Sequence, residues 1–218
     1  MIEISPSIMA ANYTILGQEI TDITNALADS IHIDIMDGHF VPNLTMGPDL
    51  VKSLRKYSHL DFDVHLMVSF PEKWIDKFID AGADLVIIHA ESSNNPLELL
   101  EYIKSQGVKC AISLMPGANL DIIDSILPII DQIMVMTVMP GFCGQKFIEN
   151  QLDIIKTIRD KISSRDIKLI VDGGINEITA KKSIEYGANK LVAGSYIFES
   201  GSSNYRSRIE TLRCLTKP

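Results

Sequence analysis

Two histidines and two aspartates lie in or directly after short apolar segments, where an ionisable side chain is costly to bury. His32 and Asp34 alternate with isoleucines in one such segment, so both point to the same face of an extended strand. His65 has an equivalent place in a second segment, and Asp172 ends a third. Buried groups of this kind must pair with one another or bind something. Imidazole and carboxylate together suit Zn²⁺, Mn²⁺, Fe²⁺ or Co²⁺, and the residue types do not choose among these metals.

The competing interpretation of these four residues is a layer of hydrogen-bonded polar side chains inside an ordinary core. Most buried polar groups are satisfied in that way, and the interpretation suffices for any one of the four residues alone. It explains less well why all of them lie at or near the ends of predicted strands. A shared site, in which each residue has a chemical role, is therefore the leading hypothesis.

Three short segments rich in glycine follow three consecutive predicted strands. They are residues 140–145, 173–174 and 194–195. Backbone N–H groups in such turns can bind a phosphate, and barrels often build a phosphate site after their seventh and eighth strands. Any one of these segments alone is typical of a simple turn. Their joint placement favours an anion site made from neutral donors.

Eight short apolar runs alternate with helical patterns along the chain. The predicted strands are residues 3–9, 30–36, 61–68, 85–90, 109–115, 132–138, 168–172 and 190–195, and two clear helical patterns are 72–81 and 147–162. Alternation of strand and helix predicts parallel pairing. No GxGxxG motif of an open dinucleotide-binding sheet follows the first strand. We therefore predict an α/β fold, a (β/α)8 TIM barrel. We expect residues 1–218 to form it as a single domain, with its chemistry at the C-terminal ends of the strands.

The amino-acid composition limits the classes of partner that the protein is expected to bind and indicates its cellular compartment. The chain has 218 residues and a formal net charge of −8 at pH 7, whereas binding to nucleic acid or to an acidic membrane would need a basic stripe. No apolar run approaches the length of a membrane span, and the N-terminal residues do not resemble a signal peptide. The three cysteines, an odd number without a CxxC pair, favour a reducing compartment. We expect a cytoplasmic homo-oligomer without nucleic-acid or membrane partners.

Longer blocks of the sequence resemble the signature segments of the ribulose-phosphate 3-epimerase family. Ser7 and residues 32–43, 63–68, 136–142 and 171–174 carry this resemblance, which runs in order from about residue 4 to about residue 198. The resemblance implies a (β/α)8 barrel that uses one divalent metal ion, zinc, iron, manganese or cobalt. It also implies an isomerase that inverts C3 of a ketose phosphate.

The resemblance gives a role to each of the residues singled out above. It implies that His32, Asp34, His65 and Asp172 bind the metal, and that Asp34 and Asp172 are also the catalytic acid and base. Ser7 and His65 would contact the substrate. The glycine-rich turns would hold the substrate, chiefly its phosphate, through Gly141, Phe142, Cys143, Gly144, Gly173, Gly174, Gly194 and Ser195.

Four further side chains receive an interpretation. Three methionines, which would either line the reacting centre or simply fill the barrel, are Met36, Met67 and Met136. His89 ends the fourth predicted strand, and we interpret it as a packed histidine of the barrel interior.

Three positions depart from the family's pattern. Met139 and Cys143 replace an asparagine and a glycine of the loop after the sixth strand, and Met115 stands where asparagine is usual. Because cysteine does not adopt glycine-only backbone conformations cheaply, we expect this loop to differ in detail. The resemblance implies D-ribulose 5-phosphate and D-xylulose 5-phosphate, of the pentose phosphate pathway, as the leading substrate pair. A D-allulose 6-phosphate 3-epimerase and a non-catalytic metal or sugar-phosphate binding barrel are the alternatives.

Overall fold

Eight parallel strands form one nearly closed barrel in the computed structural model, which describes residues 1–215. The strands are β1 Glu3–Pro6, β2 Ser30–Met36, β3 Asp61–Met67, β4 Leu85–His89, β5 Lys109–Leu114, β6 Gln132–Met136, β7 Lys168–Asp172 and β8 Lys190–Ala193. Their order in the sheet is β1-β8-β7-β6-β5-β4-β3-β2. A single parallel bridge between Ser7 and His32 joins the first strand to the second. The predicted (β/α)8 barrel is confirmed.

Helices alternate with the strands and cover the outside of the barrel. The α-helices are α1 Leu16–Asn25, α2 Pro48–Leu54, α3 Ile75–Asp80, α4 Pro96–Ser105, α5 Ile122–Ile126, α6 Gln151–Ile162, α7 Glu177–Glu185, α8 Ser195–Phe198 and α9 Tyr205–Arg213. Short 3-10 turns are Ile8–Ala10, Tyr13–Ile15, Arg55–Tyr57, Pro71–Lys73, Ala90–Ser92 and Ser202–Asn204. Within residues 1–215, no helix has the length and apolar character that crossing a membrane requires.

The two faces of each strand belong to different parts of the core. In β2 the isoleucines at 31, 33 and 35 pack in the large cluster that the strands share with the helices. The intervening residues, His32, Asp34 and Met36, point into the barrel, as the alternation in the sequence predicts. A second apolar cluster fills the interior with side chains such as Ile87, Met134 and Ile170. Polar side chains in this interior must therefore be satisfied by one another or by a bound group.

Both predicted helices begin later than their apolar patterns suggest: the pattern over residues 72–81 gives α3, which starts at Ile75, and the second helix departs further from its pattern. The pattern covers residues 147–162, but α6 starts at Gln151. The backbone N–H of Ile148 instead donates to the carbonyl of Thr137, at 2.8 Å. That hydrogen bond holds the chain against the loop after β6, so the first residues of the pattern are apolar without being helical.

A buried ion pair lies in the interior, below the ends of the strands. Lys190 Nζ is 2.7 Å from Asp63 Oδ2, and both side chains are almost fully buried. The same carboxylate oxygen accepts hydrogen bonds from Ser30 Oγ at 2.5 Å and from Ser5 Oγ at 2.8 Å. Burial alone would raise the pKa of Asp63, but Lys190 and Ser30 outweigh it and hold that pKa below its usual range. One oxygen of the Asp63 carboxylate thus accepts from two hydroxyl groups in addition to its contact with the Lys190 ammonium.

Asp63→Ala is expected to lower the free energy of unfolding by about 3–5 kcal/mol, because it leaves the Lys190 ammonium buried without its counter-charge. Urea unfolding followed by circular dichroism measures the loss. The double variant Asp63→Ala/Lys190→Met removes both charges and is expected to recover much of the stability. An Asp63→Ala protein that unfolds at the urea concentration of the unmodified chain would contradict this account of the pair.

Candidate metal centre and active site

Four side chains converge near the C-terminal end of the barrel from strands β2, β3 and β7. His32, Asp34, His65 and Asp172 each offer one donor atom, and these four atoms all lie within 4.8 Å of one another. Both histidines are fully buried, and Asp34 is 5% exposed. The structure thus brings together the four residues that the sequence suggests as metal ligands.

The register between β2 and β3 explains why these side chains meet. Asp34 lies opposite His65 in the parallel ladder, and two residues further on Met36 lies opposite Met67. Register partners in a sheet point to the same face, so the alternation in each strand places polar side chains next to one another inside the barrel. Asp172 reaches the cluster from the end of β7, which is separated from β2 by β8 and β1.

The distances between the donor atoms suit one shared cation. His32 Nε2 is 3.2 Å from Asp34 Oδ1 and 3.3 Å from His65 Nδ1, and His65 Nδ1 is 3.2 Å from the same oxygen. Asp172 Oδ2 lies 3.8 Å and 3.7 Å from those two nitrogens. Atoms bound at about 2.0–2.2 Å to one metal lie roughly 3–3.5 Å apart. The donor atoms of His32, Asp34 and His65 meet this spacing, and Asp172 Oδ2 lies slightly outside it. With two imidazoles and two carboxylates, the donor set fits a first-row divalent metal.

The surroundings move the pKa values of the two carboxyl groups in opposite directions. Burial raises the pKa of Asp172 to about 7, and the charge of Asp34 adds to that shift while His32 opposes it. Burial acts on Asp34 in the same sense, but the charges and hydrogen bonds of His32 and His65 outweigh it, so its pKa lies well below the usual range. Near neutral pH one carboxyl is therefore ionised while the other exchanges its proton.

The two histidines also differ in their affinity for a proton. Burial lowers the pKa of His65 to about 3, so this imidazole is neutral and its nitrogens can accept as well as donate. Burial lowers the pKa of His32 as well, but the nearby carboxylates, Asp34 above all, outweigh it and raise the value. A metal ion bound by His32 would therefore have to compete with a proton, as is general for protein metal sites.

A cavity of about 310 Å³ opens directly above these residues. Both aspartates and all three singled-out methionines line it. So do the residues suggested for substrate binding, with the exception of His65: Ser7, Gly141, Phe142, Cys143, Gly144, Gly173, Gly174, Gly194 and Ser195. His65 lies below the cavity and is fully buried. Within residues 1–215, no lysine or arginine lines this cavity, so the donors available to an anion there are uncharged.

Ser7 is tied directly to one of the carboxylates. Its hydroxyl donates to Asp34 Oδ2 at 2.5 Å, while the other oxygen of Asp34 faces the histidines. The carboxylate is therefore held from both sides. The hydroxyl also lines the cavity.

The loop after β6 is held by two amide side chains that the sequence did not single out. Asn43 Nδ2 donates to the carbonyl of Gly141 at 2.7 Å, which ties the loop after β2 to the loop after β6. Gln145 Nε2 donates to the carbonyls of Met139 and Phe142, at 2.6 and 3.0 Å. Asn43 and Gln145 are the last residues of the segments 32–43 and 140–145. Their place in these segments was the signal from which their role could have been predicted. Met9, Tyr196 and Glu199 also line the cavity, and no pattern in the sequence marked them.

Cys143 does not strain the loop as its residue type suggested. The loop takes positive φ at Gly141 (131°) and Gly144 (73°), and Cys143 is not among the residues with positive φ. Cysteine is therefore compatible with the backbone at this position. Desolvation beside the two site aspartates raises the pKa of its thiol to about 11. The thiol stays protonated at neutral pH, as expected for an unreactive cysteine.

The Gly173–Gly174 turn has a backbone that side chains would obstruct. Gly173 has φ of +119°, and a Cβ there would lie 2.5 Å from Val138 Cγ2. Gly174 has φ of +63°, and its Cβ would lie 2.9 Å from the backbone nitrogen of Phe147. The turn after β7 can therefore approach the loop after β6 closely only because both residues are glycine.

Gly173→Ala is expected to destabilise the protein by roughly 2–5 kcal/mol, because strain at an unfavourable φ adds to a steric clash. Gly107→Ala is the matched control, since Gly107 has φ of +78° but a Cβ there meets nothing within 4 Å. The control measures the cost of a positive φ without a clash, about 1–2 kcal/mol, and the more extreme φ of Gly173 contributes to the difference together with the contact to Val138. Chemical unfolding of both variants measures the difference, and equal losses of stability would show that the close approach to Val138 carries no cost.

Comparison with known proteins places the chain in a family. Residues 3–198 match the model of the ribulose-phosphate 3-epimerase family. The chain belongs to this family. It is 43% identical to the ribulose-phosphate 3-epimerase of Bacillus subtilis (strain 168), with 98% of this chain and 99% of that protein covered. It is 41% identical to the chloroplastic ribulose-5-phosphate-3-epimerase of Arabidopsis thaliana, with 100% and 78% covered. The protein is therefore an epimerase, an enzyme of the isomerase class.

Two solved structures share the fold at low sequence identity. The orotidine 5'-phosphate decarboxylase of Pyrococcus horikoshii OT3 superposes with a TM-score of 0.67 at 16% identity, covering 96% of this chain and 99% of that one. The thiamine phosphate pyrophosphorylase of Pyrococcus furiosus gives 0.65 at 16% identity, with 98% and 95% covered. At this identity the likeness supports the barrel architecture and carries no information on the reaction.

Proposed function

We propose that this epimerase inverts C3 of a ketose phosphate and that its substrate pair is D-ribulose 5-phosphate and D-xylulose 5-phosphate. The observation that carries the proposal is the pair of carboxylates, Asp34 and Asp172, that enter one cavity from strands on different sides of the barrel. Inversion at carbon requires a proton to leave one face and another proton to arrive at the opposite face. Two separate acid–base groups are the minimum that this reaction needs.

Four side chains of the site would hold the metal: His32, Asp34, His65 and Asp172. We propose Zn²⁺, Fe²⁺, Mn²⁺ or Co²⁺ as the metal, because all four ions accept imidazole nitrogen and carboxylate oxygen as ligands. When bound, such a cation supplies positive charge that stabilises the oxygens at C2 and C3 as negative charge develops on them. The neutral imidazole of His65 and the ionised carboxylate of Asp34 are already in the protonation states that ligands require.

The two carboxyl groups carry the proton transfer in this account. One of them, as carboxylate, removes the proton from C3 and leaves an enediolate of the substrate. The other, as carboxylic acid, donates its proton to the opposite face of C3. The separated pKa values of Asp34 and Asp172 favour one ionised and one protonated group, and the roles exchange when the reaction runs in reverse.

The cavity wall beside the aspartates is apolar. Met36, Met67 and Met136 line it and are almost fully buried. We propose that these side chains exclude water from the enediolate, which strengthens the electrostatic interactions around it. Their flexible thioethers can also adapt to both epimers at C3.

The phosphate would be held by backbone N–H groups of the glycine turns. The turns at Gly173–Gly174 and Gly194–Ser195 both line the cavity, and the first two residues of α8 have N–H groups without a partner inside the helix. Peptide N–H groups in such turns bind phosphate without a formal charge. A protein with a net charge of −8 can therefore bind an anionic sugar without a basic patch.

The substrate preference is tested by comparing kcat/KM on D-ribulose 5-phosphate and on D-allulose 6-phosphate, with the metal content measured on the same sample. We expect the higher value on the pentulose phosphate. A higher value on the hexulose phosphate would replace the proposed substrate with the alternative one. A metal-loaded protein that binds these sugars without turnover would support the non-catalytic binding barrel instead.

We further propose that residues 1–218 form a single domain, that the protein self-associates as a homo-oligomer and that it works in the cytoplasm. Three unpaired cysteines favour a reducing compartment. Sedimentation velocity over a range of protein concentrations measures the self-association, and a single species with the mass of one chain would contradict it.

A further inference from the structure

His65 uses both of its ring nitrogens. Its Nδ1 faces the other metal-ligating atoms, and its Nε2 lies 2.9 Å from Nε2 of His89, at the end of β4. The two rings are 19° from parallel with their centroids 4.9 Å apart. Because the nitrogens are much closer than the centroids, the rings meet at their nitrogen-bearing edges. Both side chains are fully buried, so the contact is a hydrogen bond shielded from water.

The direction of this hydrogen bond decides whether His65 can bind a metal. A neutral imidazole carries one proton, so one ring donates through Nε2 and the other accepts. If His65 donates, its Nδ1 has a free lone pair that points at the cluster. If His65 accepts, its Nδ1 carries the proton and cannot be a ligand. The same atoms at the same distance are thus compatible with two states, of which only one is functional.

Glu91 distinguishes the two states. Its Oε2 is 3.6 Å from Nδ1 of His89, a distance that is long for a hydrogen bond but close for a charge. That nitrogen is buried and has no hydrogen-bond partner within the described residues. Asp34 Oδ1, 3.2 Å from His65 Nδ1, would by itself favour N–H on that nitrogen, but His32 Nε2 lies 3.3 Å from the nitrogen and 3.2 Å from the oxygen, so a proton on His32 Nε2 can satisfy both. The Glu91 oxygen beside His89 Nδ1 favours N–H over a lone pair there. The carboxylate is held in place because its Oε1 accepts the backbone N–H of Met115 at 3.1 Å.

We propose that His89 and Glu91 are positioning residues that keep His65 in the tautomer with its proton on Nε2, and so leave Nδ1 free for the metal. Glu91 orients the proton of His89 towards itself, His89 accepts from His65, and His65 presents its lone pair to the site. The second nitrogen of a metal-binding histidine commonly has such a partner, whose loss weakens metal binding by about 10–100-fold. The inference deepens the proposed function, since it rests on the role of His65 as a ligand.

The tautomers can be read by NMR on the metal-free protein. Protonated and unprotonated imidazole nitrogens have well-separated ¹⁵N shifts, and long-range ¹H–¹⁵N correlations identify them in each ring. We expect the proton of His65 on Nε2 and the proton of His89 on Nδ1. The reverse order in either ring would overturn the proposal. This measurement needs neither a variant nor turnover, so its outcome is independent of the proposed reaction.

Metal affinity is the second readout. We expect His89→Leu to weaken Co²⁺ binding by about 10–100-fold in competition with a chelating dye, and Glu91→Gln to weaken it by up to about 10-fold. His89→Gln, whose side-chain oxygen can accept from His65, is expected to restore most of the affinity. The control Glu101→Gln removes an exposed charge from α4 and should leave the affinity unchanged.

These outcomes separate the inference from the proposed function. If His89→Leu and Glu91→Gln bind Co²⁺ as tightly as the unmodified protein, the positioning role is wrong even where the tautomers agree. If His89→Gln is as weak as His89→Leu, the residue acts through packing and the proposal is again overturned. If the unmodified protein binds no Co²⁺, the metal role in the proposed function is wrong. The NMR measurement alone then decides whether Glu91 and His89 place the ring proton of His65 on Nε2.

Discussion

Asp172→Asn is expected to lower kcat for epimerisation by at least about 10²-fold, and Asp34→Asn to do so by a similar factor. Asparagine keeps the shape of each side chain but neither accepts nor delivers the C3 proton. Both residues are also ligands in this account, so the assay is run at saturating metal and the metal content of each variant is measured. Asp49→Asn, on the exposed start of α2, is the control for loss of a charge and should retain normal turnover.

The two variants can also be distinguished from each other. Each variant keeps one carboxylate, which removes the C3 proton from one of the two epimers. Each variant is therefore expected to retain some exchange of the C3 hydrogen in that sugar and none in the other. The retained sugar should differ between Asp34→Asn and Asp172→Asn, because the groups act on opposite faces. Near-normal turnover in either variant, with metal bound, would remove that residue from the acid–base pair.

Removal of divalent metal is expected to lower turnover by roughly 10³-fold or more, which corresponds to several kcal/mol of transition-state stabilisation. The physical reason lies in the cavity lining, which within residues 1–215 contains no lysine or arginine to stabilise an enediolate. The barrel should stay folded, because its large apolar cluster, shared by strands and helices, packs on the face of the strands that points away from the barrel interior. Dialysis against a chelator, with activity, metal content and circular dichroism measured on one sample, tests this expectation.

Re-addition of metal provides the control for that experiment. Zn²⁺, Mn²⁺, Fe²⁺ or Co²⁺ should restore activity, and each ion that binds the folded state should raise the midpoint of thermal unfolding. A chelated protein with no measurable metal and unchanged kcat would contradict the role given to the His32, Asp34, His65 and Asp172 cluster. Loss of activity together with loss of the folded signal would contradict the independence of the barrel core.

Alternation along a strand made the centre of the site predictable from sequence. His32 and Asp34 are separated by one isoleucine, so a strand of any length must place both on the same face. The apolar partners on the other face, which pack with the helices, decide which face is inside. The repeating pattern of strand and helix then indicates a barrel, which brings the distant Asp172 to the same end.

The residues at which strands and helices begin and end were less predictable, because these positions depend on hydrogen bonds to distant parts of the chain. The first strand was predicted over residues 3–9 but ends at Pro6. The chain turns there into the 3-10 helix Ile8–Ala10, after Ser7 has donated its N–H to the carbonyl of Ala193. The apolar residues of this turn resemble a continued strand in the sequence, although only Ile8 is buried.

Contacts made by single polar side chains could not be predicted from the sequence either. His89 was interpreted as a packed histidine, and its ring does lie against His65 and Phe40, with centroid distances of 4.9 Å to each. The hydrogen bond to His65 and the approach of Glu91 depend on how neighbouring strands place their ends. Spacing along one strand contains no information on such contacts between strands.

The most direct test of the account is epimerisation in D₂O, with the hydrogen isotope at C3 measured in the product and in recovered substrate. With two carboxyl groups on opposite faces, the proton removed stays on one group while the other delivers a solvent-derived proton. We therefore expect every molecule of D-xylulose 5-phosphate formed from D-ribulose 5-phosphate to carry deuterium at C3. A product that is inverted at C3 but retains its original hydrogen would contradict the assignment of Asp34 and Asp172 as a pair.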